Sequence, residues 1–409
     1  MLCVALWGGL TLWSACGGGP EAQTLPEEPA YPAAAVFDLP TTLITAQEVT
    51  FTQWAAPPAG EAGAATTDAI TTTDTATTTD TASATDSITT TAPVTTTRPT
   101  TTEPPPPPEM LERHDEGITI PVLSMDELYA FWRANPVSLG VGYAALPSLG
   151  LPYKAGRLNP ETRQSALNHL NRIRFVAGVP ANVTISDSCS EQAEYAATLM
   201  ARNGGISHTP GRPWDMPQEF YKKAYEGCQN SNVAKTEAGD TLNSMIRLCL
   251  GDADSGNLPN LGHRRWMLSP AMKQTGFGSV NGYSAMHVTS GGLPAADERW
   301  GVVMYPGQTT PVSLMQADWP WSVSLDGNYG ISGASVTVTR RADGKVWRFP
   351  GNGGYFNRSV RNTGQPNCLI FRPGNIKIAA WEVYDVRVSG VTKDGQPWPI
   401  QYTVQFIDM

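Results

Sequence analysis

The chain lacks a charge surplus where one would matter. Of its 28 basic and 37 acidic residues, the stretch 1–108 holds eleven acids and a single base, Arg98. The remainder then carries 27 basic against 26 acidic side chains and is nearly neutral. With no basic excess to neutralise phosphates, nucleic acid is excluded as a general partner. Outside the extreme N-terminus no apolar run reaches the roughly 18 residues of a spanning helix. There is no G-x-S-x-G, no H-E-x-x-H, no C-x-x-C and no phosphate loop. These absences remove the best-marked hydrolase, zinc-protease, redox and nucleotide-binding classes. Asp252–Asn257 has the outline of a calcium loop, but its glycine falls one place early and position twelve is His263 rather than Glu. It reads as a polar loop after a helix.

What is present begins with a leader. Residues 1–16 place Leu2, Val4, Leu6, Trp7, Leu10, Leu12 and Trp13 in a short apolar core, followed by Ser14, Ala15 and Cys16. Too short to span, this reads as a signal peptide, and small residues before Cys16 resemble a bacterial lipobox. Cys16 is thus the candidate lipidation site, and the membrane a partner through that anchor. The expected location is extracellular, at the cell surface. Residues 17–108 read as a tether. Threonine makes up about half of Thr66–Thr102, and Pro104–Pro108 is unbroken proline. Such tracts bury too little apolar surface to order, and the proline run favours a stiff extended helix.

Residues 109–157 read as an extension with one short helix, opened by the capping box Ser124-x-x-Glu127 and closed by Pro136. Residues 161–177 put Ala166, Leu167, Leu170, Ile173 and Ala177 on one helical face. A second box, Ser188-x-x-Glu191, is expected to open an alanine-rich helix ending at Gly204-Gly205. A third helix is expected over 237–250. After Pro270 the pattern turns to short strands. Residues 307–409 alternate in runs such as Ala334–Val338, Val346–Phe349, Ile376–Ala380 and Tyr402–Phe406, separated by Gly and Pro turns. That spacing without helices predicts a β-sandwich.

Two histidine segments carry the strongest chemical signal: Ile206-Ser207-His208-Thr209 past the alanine helix, and Leu261-Gly262-His263-Arg264 leading to Gly276-Phe277-Gly278. Together with Leu167-Asn168-x-x-Asn171-x-x-Arg174, their order and spacing resemble the CAP superfamily (cysteine-rich secretory, antigen five and pathogenesis-related proteins; SCP-like extracellular domains). The resemblance covers Leu158–Pro306, giving a domain at 158–306. It implies an α+β fold, an α-β-α sandwich, here followed by the β-sandwich. It also implies a cleft where two histidines and two acids can hold a divalent metal. His208 and His263 match the histidines. Ser231 stands where the family carries an acid, beside Asn232, and Glu226, Glu237, Asp252 and Asp254 are the candidates to replace it. Two histidines alone make a weak zinc site. His114, His169 and His287 read as structural.

Four cysteines remain after the leader. In an exported chain an even count suggests disulfides. Cys228–Cys249 is the favoured pair, with Cys189–Cys368 tying the domains; free buried thiols are the alternative. The function expected is non-enzymatic binding of a small apolar ligand, glycan or protein in the histidine-lined cleft. The alternatives are a metal-assisted hydrolase using His208 and His263, and a structural envelope protein with a vestigial cleft.

Overall fold

A computed structural model describes residues 123–138, 140–237, 242–292, 301–360 and 363–409. Cys16, the tether and His114 lie outside the described residues. Chain order runs α1 (Met125–Ala134), β1 (Tyr143–Ala145), β2 (Arg157–Leu158), α2 (Pro160–Val176), β3 (Thr184–Ile185), α3 (Asp187–Asn203), α4 (Gln218–Gln229), β4 (Ser231–Lys235), α5 (Leu242–Gly251), α6 (Gly262–Met267), β5 (Gln274–Thr275), β6 (Phe277–Val280) and β7 (Tyr283–His287). The second half adds β8 (Val302–Tyr305), β9 (Thr309–Pro311), β10 (Trp321–Leu325), β11 (Tyr329–Gly330), β12 (Ser335–Arg340), β13 (Val346–Phe349), β14 (Gly354–Asn357), β15 (Asn367–Pro373), β16 (Val383–Ser389), β17 (Thr392–Lys393), β18 (Gln396–Pro397) and β19 (Ile400–Ile407). The class is α+β.

Local chemistry accounts for the helix ends. At α1 the Glu127 amide donates to Ser124 Oγ while the Ser124 amide donates to the Glu127 carboxylate, a reciprocal capping box. Asn159 caps α2, with Pro160 in the first turn, where its missing N–H costs nothing. α3 ends at Gly204, which takes the left-handed conformation that glycine tolerates.

In the first half the sheet order is β4-β7-β6, with Ser231 opposite His287 and Phe277 opposite Met286. Side chains alternate across a strand. Val233, Tyr283 and Ala285 therefore share one face, packed with Ala193 and Ala196 of α3 and Ala224 of α4. Ala234, Met286 and Phe277 take the other, in one core with Leu170 of α2, Ile246 of α5 and Met267 of α6. The alanine face expected of α3 has its counterpart in glycine: a Cβ at Gly278 would stand 2.2 Å from the Ala193 carbonyl oxygen.

In the second half, sheets β14-β15-β10-β8 and β13-β12-β16-β19-β9 enclose an aromatic core. Fully buried Trp321 meets Tyr384 and Phe406 edge-on and Phe371 at a tilt. Strand β8 precedes Pro306 in sequence yet pairs with β10, so its hydrogen bonds belong to the C-terminal sheet.

Several expectations are corrected. The cap of α3 is Ser186, whose hydroxyl accepts from the Cys189 amide; Ser188 already lies inside the helix. The third helix covers Leu242–Gly251, and residues 238–241 of the expected 237–250 lie outside the described residues. Ile376–Ala380 is not a strand, and the Tyr384 hydroxyl donates to the Lys377 carbonyl there. Among the described residues no disulfide is found, against the expected pairs. Cys189, Cys228, Cys249 and Cys368 are all buried, and no disulfide pairs them. Cys228 and Cys249, the favoured pair, sit in different apolar clusters. Burial pushes the Cys228 thiol up to about 12, so it behaves as a small hydrophobe.

Candidate functional site

His208 lies on the loop after α3. Its ring Nδ1 donates to the Cys228 carbonyl at 2.8 Å. The residue is half-buried, and its partner Cys228 belongs to the α3–α4 apolar cluster. This bond ties the loop to the end of α4, three residues before Ser231.

His263 is on α6, entered through Leu261 in a left-handed conformation. Only 1 % of its surface is exposed. Nδ1 donates to Asp252 Oδ1 at 2.6 Å, and the second carboxylate oxygen accepts the Arg264 amide at 3.0 Å. Asp252, just past α5, is itself buried and left-handed, with φ 44°. Of the four candidate acids, Asp252 is the one that bonds His263. Asp254 is turned to its own loop, accepting from the amides of Gly256 and Asn257. Glu226 and Glu237 are exposed.

Asn232 donates from Nδ2 to the His263 carbonyl at 2.9 Å, which fastens β4 to α6. Ser231, its neighbour on β4, is 2 % exposed, and its hydroxyl has no hydrogen-bond partner. Both histidine segments are therefore anchored to the short stretch 228–232, His208 through a carbonyl before β4 and His263 through Asn232.

Sequence reasoning missed His287 as a neighbour of Ser231. The two are directly opposed across β4 and β7. No signal pointed there, because β4 is a five-residue strand between two helices and carries no turn residues to mark it. Burial lowers the His287 imidazole to about 4, so it is neutral at pH 7. His169, read as structural, donates from Nδ1 to Asn243 Oδ1 at 2.9 Å.

The donor set does not fit a divalent metal. His263 is buried against Asp252, Ser231 has no charge, and among the described residues no three His, Cys, Asp or Glu side chains converge on a common point.

With this geometry in place, comparison with known proteins gives one finding. A family model described as "CAP: Cysteine-rich secretory protein family" matches residues 167–290. The match runs from α2 to just past β7, so this stretch is similar to the CAP family. No curated protein and no solved structure matches the chain. Among the described residues no helix is long and apolar enough to cross a membrane.

Proposed function

We propose that this is an exported, surface-anchored CAP-like protein that binds a partner through the His208 face and performs no hydrolysis. On this reading residues 158–306 are an α-β-α sandwich and residues 307–409 a β-sandwich. Cys16 carries the lipid anchor and residues 17–108 hold the folded part away from the membrane. The ligand is a small apolar molecule, a glycan or a protein.

The observation that carries the reading is the state of His263. General acid–base work needs a titratable side chain within reach of substrate, and contributes about 10²–10⁴-fold when positioned. His263 is enclosed, with one ring nitrogen committed to Asp252. Ser231 cannot serve as a base. The hydrolase alternative draws on one feature, the carboxylate behind His263, since such pairs orient metal-binding histidines. It still lacks a third ligand among the described residues.

Zinc content of the purified chain, measured with peptidase activity on an unstructured protein substrate, tests the choice. We expect well under one zinc per chain and no cleavage above background. Stoichiometric zinc with cleavage abolished by chelation would establish the hydrolase instead. Cys16→Ser tests the anchor: the variant is expected in the soluble fraction, and unchanged membrane partition after normal export would refute anchoring.

A further inference from the structure

Three polar atoms are buried without a hydrogen-bond partner where α3 lies on the sheet: Ser190 Oγ, Ser231 Oγ and His287 Nδ1. Their residues are 1 %, 2 % and 6 % exposed.

Position brings them together. Ser231 and His287 face each other across an antiparallel pair. The Val288 amide donates to the Asn230 carbonyl, so the adjoining pair 231/287 is of the non-hydrogen-bonded kind, in which side chains stand closest. By alternation both side chains lie on the face that carries Val233 and Ala285, under α3. Gly276 fixes the third member. Its carbonyl accepts from the His287 amide, and a Cβ on it would fall 2.5 Å from the Ser190 Cα. Ser190 is therefore level with His287. The His287 backbone is held on both sides, since its carbonyl also accepts from Thr275 Oγ1 at 2.7 Å.

Buried polar groups are almost always paired, and an orphan costs about 1–3 kcal/mol. Two hydroxyls and one neutral imidazole offer donors and acceptors of both kinds but no charge. An internal water typically makes about three hydrogen bonds to such groups.

We propose that Ser190, Ser231 and His287 form a binding site for one internal water molecule. It accepts a neutral oxygen and offers no negative charge to a cation.

The test uses the full chain. A crystal structure at about 1.5 Å resolution is expected to show one water within about 3.2 Å of all three atoms. Nuclear Overhauser transfer from a long-lived water to the His287 amide should be present in the native chain and lost in Ser231→Ala. A direct hydrogen bond between Ser231 and His287 with no water density would overturn the site. A denaturation cycle guards against a variant that only loosens the fold. Ser231→Ala and His287→Phe should couple, the double variant losing less than the sum of the singles. Strict additivity would count against a shared water.

Discussion

Asp252 is the residue on which the candidate site depends. Its carboxylate is buried between His263 Nδ1 and the Arg264 amide. Removing one partner of a buried hydrogen-bonded pair leaves the other with its full desolvation penalty. Asp252→Ala is therefore expected to lower unfolding stability by about 2–4 kcal/mol in urea denaturation. Asp254→Ala, in the exposed loop two residues on, should cost about 1 kcal/mol or less. Equal losses from the two would contradict the assignment. The sequence placed Asp252 among four candidate acids and offered no means to choose. What decides is the left-handed turn that brings the end of α5 back to α6, a tertiary contact with no local signature.

At the scale of elements, legibility tracks the strength of local signals. Helix α1 was readable from Ser124 and Glu127, and the end of α3 from Gly204-Gly205. Helix α4 was not, because Pro217 precedes it and no side chain caps its first turn. The serine pair at 186 and 188 misplaced the start of α3, since both are good caps and only tertiary pairing of β3 with β5 fixes which one is used. Gly276 and Gly278 stand out in the sequence as a motif, but their purpose emerges only from packing. Gly278→Ala should force α3 off β6 and lower the melting temperature by several degrees, by about 1–3 kcal/mol of overpacking. A melting temperature unchanged from the native chain would mean the helix approaches less closely.

The same layer carries a pH dependence. Glu194 of α3 accepts the Leu158 amide at 2.9 Å, which pins β2. Burial raises its carboxyl from 4.5 to about 7, against the Leu158 amide, Arg163 and Arg157, which act to lower it. Glu191 adds a small push upward. The folded value is above the unfolded one, so the protonated form is favoured by folding. The resulting stability is complete below about pH 4.5 and is lost as pH rises through about 7. Melting temperatures should thus fall between pH 5 and 7.5, and Glu194→Gln should flatten that segment of the profile. A profile with the same slope in the variant would assign the dependence to another group.

Across the whole molecule, the two halves are joined by buried arginine rather than by a linker. Arg264 donates from Nε to the Leu250 carbonyl, from Nη2 to the Gly251 carbonyl and from Nη1 to the Pro320 carbonyl and Ser322 Oγ. The guanidinium also lies 5.1 Å from the Tyr305 ring centre. Arg265 donates to the Gln365 carbonyl, and Gln365 Nε2 returns a bond to the Leu268 carbonyl. Leu170, Met267, Trp321 and Phe406 belong to one continuous apolar cluster. A boundary at 306 is reasonable in sequence, where helices give way to alternating strands, but composition says nothing of how the faces meet. The consequence is cooperative unfolding. Native chain should give one transition by tryptophan fluorescence and by far-ultraviolet dichroism, with coincident midpoints. Arg264→Lys keeps the charge but loses the fork, leaving several buried carbonyls without donors. It should reduce stability by about 2–4 kcal/mol while remaining a single transition, because both halves lose the same contact. Residues 307–409 expressed alone would expose the surface that Arg264 and Trp266 cover, and are expected to be aggregation-prone. A soluble, cooperatively folding 307–409 fragment would show instead that the C-terminal half is an independent module resting against the first.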